Sequence, residues 1–335
     1  MSGVQQIDVP ADDDGMRLDR WFKQRFPALT HGRLEKLLRK GQIRVDGGRV
    51  KANVRLTAGQ TVRVPPLENQ GQRLEGETNR GRQRQGLDPA DVDFVRGLVI
   101  HKDDAVLVIN KPAGLAVQGG TGTKRHLDGL LDGLMFEAKE RPRLVHRLDR
   151  DTSGVLVLAR TGQAARALGR AFQESDARKV YWALTVGVPR PARGTINLAL
   201  VKTGNEGFER MVPAILGQPD AKSAVTHYAV VANAGQRLAW VAFMPMTGRT
   251  HQLRAHALAL ETPIVGDHKY AHEEAQTGGE LPDKLHLHAR SIDIAHPGGG
   301  RLRAEAELPE HMQQSWALLA FDANDDGDPF AELEL

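Results

Sequence analysis

The sequence predicts an α+β protein with two folded parts: a small N-terminal α/β domain and a larger domain on a mixed, largely antiparallel central sheet. Three observations lead there. The N-terminal part reads as two short helical patterns followed by small strands; beyond residue 95 apolar strand runs outnumber helical ones; and short turns join those runs. A length of 335 residues, at about 150 per domain, agrees with two domains.

Along the chain, the stretch 17–26 carries Leu18, Trp21, Phe22 and Phe26 at helical spacing and predicts the first helix. The stretch 30–41 predicts the second, with Thr30 as N-cap, Leu34, Leu37 and Leu38 on one face, and Gly41 as the stop. Residues 43–45, a turn at Asp46-Gly-Gly48, and residues 60–64 read as small strands. Residues 14–66 thus form one domain. Residues 67–94, with scattered Gly, Asn, Gln and Arg (Arg80, Arg82 and Arg84 among them), read as a flexible linker. In the larger domain, 95–321, the runs 106–109, 155–158, 181–186 and 239–243 predict strands, and 163–174 predicts a helix. Residues 322–335 read as an acidic tail.

Composition removes several chemistries. The chain has no Cys, which excludes disulfides, thiol catalysis and cysteine-ligated zinc, including the zinc deaminases of nucleobases. No apolar run approaches the roughly 18 residues of a membrane span, and the acidic start MSGVQQIDVPADDDG does not read as a secretory signal. A cytoplasmic protein is expected.

The net charge of +3 conceals an asymmetry. From Arg17 to Arg63 there are 13 Lys/Arg against Asp19, Glu35 and Asp46, while the six charged residues after Phe321 are all acidic. Such a split points to a polyanion-binding part attached to something else. Arg33, Lys36, Arg39, Lys40 and Arg44 lie off the apolar face and are the candidate RNA-binding residues. At these residues the segment 17–64, with its Lys-Gly-x-Ile-x-Val step, resembles the S-four-type RNA-binding domain. That resemblance implies docking on structured RNA through phosphates rather than base reading.

Familiar catalytic signatures are missing. Gly119-Gly-Thr-Gly-Thr-Lys124 lacks the P-loop spacing, and Ser153 is not in a Gly-x-Ser-x-Gly elbow. His251 and His256, five apart, and His286 and His288, two apart, match no metal-ligand motif, so hydrogen-bonded histidines are expected. The stretch Leu144-Val-His-Arg-Leu-Asp-Arg-Asp-Thr-Ser-Gly-Val-Leu-Val-Leu-Ala159 crowds polar residues at the mouth of a buried strand. On composition it is equally a site or a salt-bridged turn.

Its wording decides between them. His-Arg-Leu-Asp-x-Asp-Thr-Ser-Gly resembles the signature of the RluA-type pseudouridine synthases. Asn110-Lys-Pro-Ala-Gly114 with Val117-Gln-Gly-Gly120, Lys179-Val-Tyr181-Trp-Ala183, and Pro245-Met-Thr-Gly-Arg-Thr-His-Gln-Leu-Arg-Ala-His256 with Pro263-Ile-Val-Gly-Asp267 are similar to its other motifs, in order. The short motif wording is most similar to the RluC-like branch.

The resemblance implies the pseudouridine synthase fold and isomerisation of uridine in large-subunit ribosomal RNA, with no cofactor, no metal, no membrane and no obligatory protein partner. It implies Asp149 as the essential carboxylate, nucleophile or base. Arg254 would pair with Asp149 and fix its direction, with Arg249 a second candidate. Tyr181 would meet the flipped base and help remove the C5 proton; without the resemblance it reads as a core strand tyrosine. Arg147 would fill the stack that the uridine leaves. The alternatives are an assembly factor that binds RNA without catalysis, a synthase acting on another structured RNA such as tRNA, and a two-carboxylate glycosidase, for which Asp151 lies too near in sequence to assume the geometry.

Overall fold

The computed structural model describes residues 3–67, 87–119, 125–174, 177–204, 209–270, 280–324 and 327–331, with the side chains of Asp12 and His31 left aside. It divides into two compact units, Met1–Gln85 and Gly86–Leu335.

The first unit contains β1 (Gln5–Asp8), α1 (Leu18–Arg25), α2 (His31–Arg39), β2 (Arg44–Val45) and β3 (Thr61–Val64). The strands form an antiparallel sheet in the order β1-β3-β2. Both helices form where their apolar spacing predicts them. The Thr30 hydroxyl accepts from the Arg33 amide at 3.4 Å, capping α2, and Gly41 ends that turn at φ +66°. Leu18, Trp21, Phe22, Leu34, Leu38, Ile43 and Val62 share one core. The expected start at residue 14 is too late. β1 pairs along its length with β3, from Gln5↔Val64 to Asp8↔Thr61, and Val9 is buried in the same core; four residues of Gln-Gln-Ile-Asp carry too little apolar pattern to show as a strand.

The second unit contains α3 (Pro89–Gly97), β4 (Val99–Lys102), β5 (Val106–Lys111), α4 (Leu127–Leu130), β6 (Arg143–Leu144), β7 (Ser153–Ala159), α5 (Gly162–Gln173) and β8 (Arg178–Val186). It continues with β9 (Arg193–Asn197), β10 (Leu200–Thr203), β11 (Arg210–Pro213), β12 (Val225–Ala234), β13 (Leu238–Pro245), α6 (Gln252–Ala259), β14 (Leu287–Ala295), β15 (Arg301–Glu305) and α7 (Glu310–Leu318). One large sheet runs β4-β5-β7-β14-β8-β13-β12-β9, with β15 on β14 and β6 on β7; β10 and β11 form a separate hairpin. Among the pairings between the named strands only β7–β14 is parallel, so the α+β reading with a mixed, largely antiparallel sheet describes the architecture.

β7 is buried over its whole length, as a central strand covered on both faces must be. Leu156 and Leu158 face a core shared with α3 and α4. Val155 and Val157 face another shared with α5. Its first residues meet β14 closely: a Cβ on Gly154 would stand 2.2 Å from the Ala289 carbonyl oxygen, and φ there is +110°. The glycine of the signature is therefore required by strand packing.

Two expected boundaries change. Residues 68–86, with Arg80, Arg82 and Arg84, lie outside the described residues. The last part of the expected linker, however, is helix α3, capped by the Asp88 carboxylate on the Ala90 amide at 2.9 Å with Pro89 at its start, and Val95 is wholly buried in the core it shares with α4. The acidic tail is also partly built in. Phe330 is 3 % exposed, within the core of Trp182, Trp240 and Trp316, and Asp328 pairs with Arg178 at 2.6 Å. A single phenylalanine among acidic residues gives no periodicity by which to foresee this.

Candidate active site

The signature turn ends where β7 begins, so its side chains emerge at the end of the most buried strand. Lys111, wholly buried at the end of β5, ties this turn down: its ammonium donates to the carbonyls of Pro112 and Leu115 at 2.9 Å and of Arg150 at 3.0 Å. Burial pushes Lys111 down to about 7, against the pull of Asp151 and Asp149. The Gly114 amide donates to the same Arg150 carbonyl. The motif around Asn110-Lys-Pro-Ala-Gly114 thus becomes a brace beneath the signature turn, a role its letters did not disclose.

β14 brings the next segment alongside. Its Ala289 lies opposite Gly154 of β7 and opposite Tyr181 of β8. His288 accepts from the Ser153 hydroxyl at 2.9 Å and donates to the Ala306 carbonyl at 3.1 Å. The signature turn and Tyr181 are held to one strand.

A cleft of about 610 Å³ opens here. It is lined by the signature turn (His146, Arg147, Asp149), by Lys179 and Tyr181 of β8, and by the stretch from Pro245 to Arg254. Asp149 is 20 % exposed, and His251 Nε2 lies 3.9 Å from its Oδ2. Burial, then the charge of Asp149, pushes the Tyr181 phenol well above its ordinary range, so it enters as a neutral phenol. Burial, with Lys179 beside it, pushes His146 down to about 3; its Nε2 accepts from the Val157 amide at 2.8 Å. Arg147 is exposed at the cleft and makes no ion pair among the described residues.

The expected Asp149–Arg254 pair is not the arrangement found. Arg254 donates through Nε and Nη2 to the two oxygens of Asp267, at 2.7 and 2.6 Å. Asp267 is wholly buried and already fixed by the amides of Lys269 and Tyr270 at 3.0 and 3.1 Å, so it offers the guanidinium a preorganised bidentate partner. Burial alone would push Arg254 down; its bonds to Asp267, and the charges of Asp267 and then Asp149, outweigh that and raise it. Asp149 reaches Arg254 by charge at a distance. Arg249, the other candidate, donates to the Ser223 carbonyl at 2.9 Å.

The histidines behave mostly as hydrogen-bonded residues. His256 accepts from the Thr226 hydroxyl at 3.0 Å and donates to the Leu198 carbonyl at 3.2 Å. Among the described residues no group of three or more His, Asp or Glu could hold a metal ion. Residues 120–124, including most of the Gly119–Lys124 stretch, lie outside the described residues. His251, Asp267 and Tyr270 belong to the site though sequence reasoning gave them no role; the first two stand within the family-like motifs themselves.

In the first unit, Arg33, Lys36, Arg39 and Lys40 are exposed along and just after α2. Arg44 differs: it is half-buried and donates to the carbonyls of Gly41 and Gly47, both at 3.1 Å. Two of its five N–H donors brace the turn, which fixes the guanidinium in place and leaves three for a phosphate. No described helix is long and apolar enough to cross a membrane.

Comparison with known proteins agrees in both units. The family profile described as RNA pseudouridylate synthase matches residues 105–259, and the S4 domain profile matches residues 16–62. The chain is 34% identical over 316 residues to ribosomal large subunit pseudouridine synthase C of Vibrio vulnificus (strain CMCP6), covering 93% of this chain and 95% of that protein. It is 32% identical to the protein of the same name from Escherichia coli (strain K12), covering 93% and 95%. The solved structure of human RNA pseudouridylate synthase domain containing 4 is similar with a TM-score of 0.59 at 31% identity, over 69% of this chain and 97% of that one.

Proposed function

Since the chain belongs to the RNA pseudouridylate synthase family, we propose that it isomerises uridine to pseudouridine in large-subunit ribosomal RNA, working in the cytoplasm. The observation that carries this reading is the convergence of Asp149, Tyr181 and Arg254 on one cleft from three distant segments.

The reaction breaks the N1–C1′ bond, turns the uracil and joins its C5 to C1′, after which C5 loses a proton and N1 gains one, so the product is an isomer. Nothing is oxidised and no group leaves the nucleotide. Asp149 carries the chemistry as the carboxylate that meets the sugar, with Arg254 supplying positive charge behind it from a position fixed by Asp267. Tyr181 faces the flipped base as a phenol; it can take up the C5 proton only while giving up its own. Arg147, exposed at the cleft, enters the stack in place of the ejected uridine, offsetting a cost of a few kcal/mol. The first unit, with β1 as part of its sheet, forms the docking domain, with Arg33, Lys36, Arg39 and Lys40 on phosphates.

Mapping pseudouridine across ribosomal RNA from cells with and without the protein tests this. One or more large-subunit positions should lose the modification and regain it with wild type. Asp149→Asn, which keeps the shape of the side chain, should fail to restore it, with turnover down by about 10³-fold or more. Unchanged modification in the deletion strain would overturn the reading.

A further inference from the structure

The arrangement around His251 is not explained by the roles given above. This residue sits just before α6 in a left-handed backbone conformation, φ +49°, which for a non-glycine residue is uncommon and tends to mark a functional constraint. The neighbouring Gln252 side chain holds the turn in that shape: its oxygen accepts from the Thr247 hydroxyl at 2.7 Å and the Arg249 amide at 3.0 Å, and its amide donates to the Val225 carbonyl and the Thr226 hydroxyl at 2.9 Å. The strained conformation is over-determined.

A chain of hydrogen bonds then sets the ring. The Met211 amide donates to the Tyr270 hydroxyl oxygen at 2.8 Å. That hydroxyl lies 3.1 Å from His251 Nδ1. With one lone pair engaged by Met211, we assign the single phenolic proton to Nδ1. The ring proton of neutral His251 must then be on Nε2, the nitrogen 3.9 Å from Asp149 Oδ2. Burial lowers the proton affinity of His251; Asp149 and, more weakly, Asp267 oppose this, while Arg254 and Lys269 reinforce it. The result is a neutral, single-donor imidazole aimed at an anionic carboxylate.

The separation is too long for a direct hydrogen bond. It suits an oxygen that touches both groups at about 2.8 Å each, accepting from Nε2–H and donating to the carboxylate. Both side chains reach the cleft, at 15 % and 20 % exposure. We propose that His251 and Asp149 together hold one hydroxyl of the target nucleotide's ribose, its 2′-OH, so that His251 is a specificity-determining residue that favours RNA over DNA. A group that both donates and accepts is what this pair requires, and the 2′-OH is the part of a ribonucleotide beside C1′ that DNA lacks. The inference rests on the assignment of Asp149 to the reacting sugar.

The test uses the full-length protein and an RNA fragment carrying the uridine identified by the mapping experiment, with ribose or 2′-deoxyribose at that one position. Wild type should turn over the deoxy substrate about 10- to 100-fold more slowly. His251→Leu should slow the ribose substrate by a similar factor and the deoxy substrate by less than about threefold, because that substrate has no 2′-OH for the imidazole to hold. His251→Gln, which keeps a donor and has the same backbone strain as Leu, should recover part of the activity. Equal losses for His251→Leu on both substrates, or a wild type indifferent to the 2′ position, would overturn the hydroxyl contact while leaving the synthase reading intact. A substrate-free measurement separates the two further: ring-nitrogen NMR of wild type should show His251 as the Nε2–H tautomer, shifting toward Nδ1–H in Tyr270→Phe. An Nδ1–H ring in wild type would overturn the proposal whatever the activity.

Discussion

In the first unit most of the core comes from one stretch of chain: α1 and α2 bring Trp21, Phe22, Leu34 and Leu38 onto a short sheet of β2 and β3, which β1 closes by pairing with β3. In the second, the strand that completes the sheet arrives late. β14 is inserted between β7 and β8, and the Ser153–His288 hydrogen bond joins residues 135 positions apart. The difference divides labour. A small fold with exposed cations needs only to present charge, which tolerates imprecision because phosphates are everywhere on RNA. A site for bond rearrangement needs carboxylate, phenol and guanidinium held in fixed relation, which here takes segments from three parts of the chain locked by one strand.

The sharpest way to test this division is to remove each part's contribution separately. Deleting residues 1–66 should weaken binding to ribosomal RNA yet leave slow turnover of a short stem-loop, whereas Asp149→Asn should keep affinity and lose turnover. Single-turnover assays at saturating RNA distinguish the two. Loss of all turnover in a folded deletion variant would show that the first unit contributes to chemistry.

Arg254→Ala is expected to damage more than catalysis. It leaves the wholly buried Asp267 carboxylate without its bidentate partner, at a cost of about 3–5 kcal/mol. Urea titration should show that loss beside the fall in turnover. A variant inactive yet as stable as wild type would mean that Asp267 finds another partner.

The two units should also respond differently to acid. Burial holds His286 and His288 down to about 4, against about 6.5 in an unfolded chain. Above pH 6.5 the rings are neutral in both states, and their contribution is fully present. As pH falls toward 4 the unfolded chain takes up protons that the native state refuses, so stability declines, by about 2 kcal/mol per ring at pH 5. The first unit holds a single histidine, His31, and should lose little on this account. Trp21→Phe leaves Trp182, Trp240 and Trp316, all in the second unit, so its fluorescence in urea at pH 7 and pH 5 isolates that unit. A flat response would contradict the buried, neutral rings.

The smallest expected effect is electrostatic. Changing Arg39 and Lys40 together to Gln should reduce the slope of log affinity against log salt by about 0.7–0.9 for each phosphate that is no longer neutralised. Arg44→Gln should change the slope less and stability more, since its guanidinium is engaged by Gly41 and Gly47.

Much of this could be read from residue order alone. Leu34, Leu37 and Leu38 at helical spacing with Thr30 before them predict α2, and the run after Gly154 predicts a buried strand, because local propensity and burial pattern agree at both places. The His-Arg-Leu-Asp wording located the signature turn and Asp149. β1, α3 and the docked Phe330 were illegible: their patterns are too short or too polar to carry periodicity, and only their partners give them structure. Sequence also paired Arg254 with the wrong carboxylate. Identity of residues in a motif says which groups are present, but a guanidinium takes the partner that is best fixed and most buried, and Asp267 became that partner only when the loop after Gly266 folded its amides onto it. The chain by itself determined the family, the two-part organisation and the chemical groups available. Tertiary structure decided which charge faces which, because a β14 placed between β7 and β8, and a left-handed His251 before α6, are products of long-range packing that no local pattern encodes.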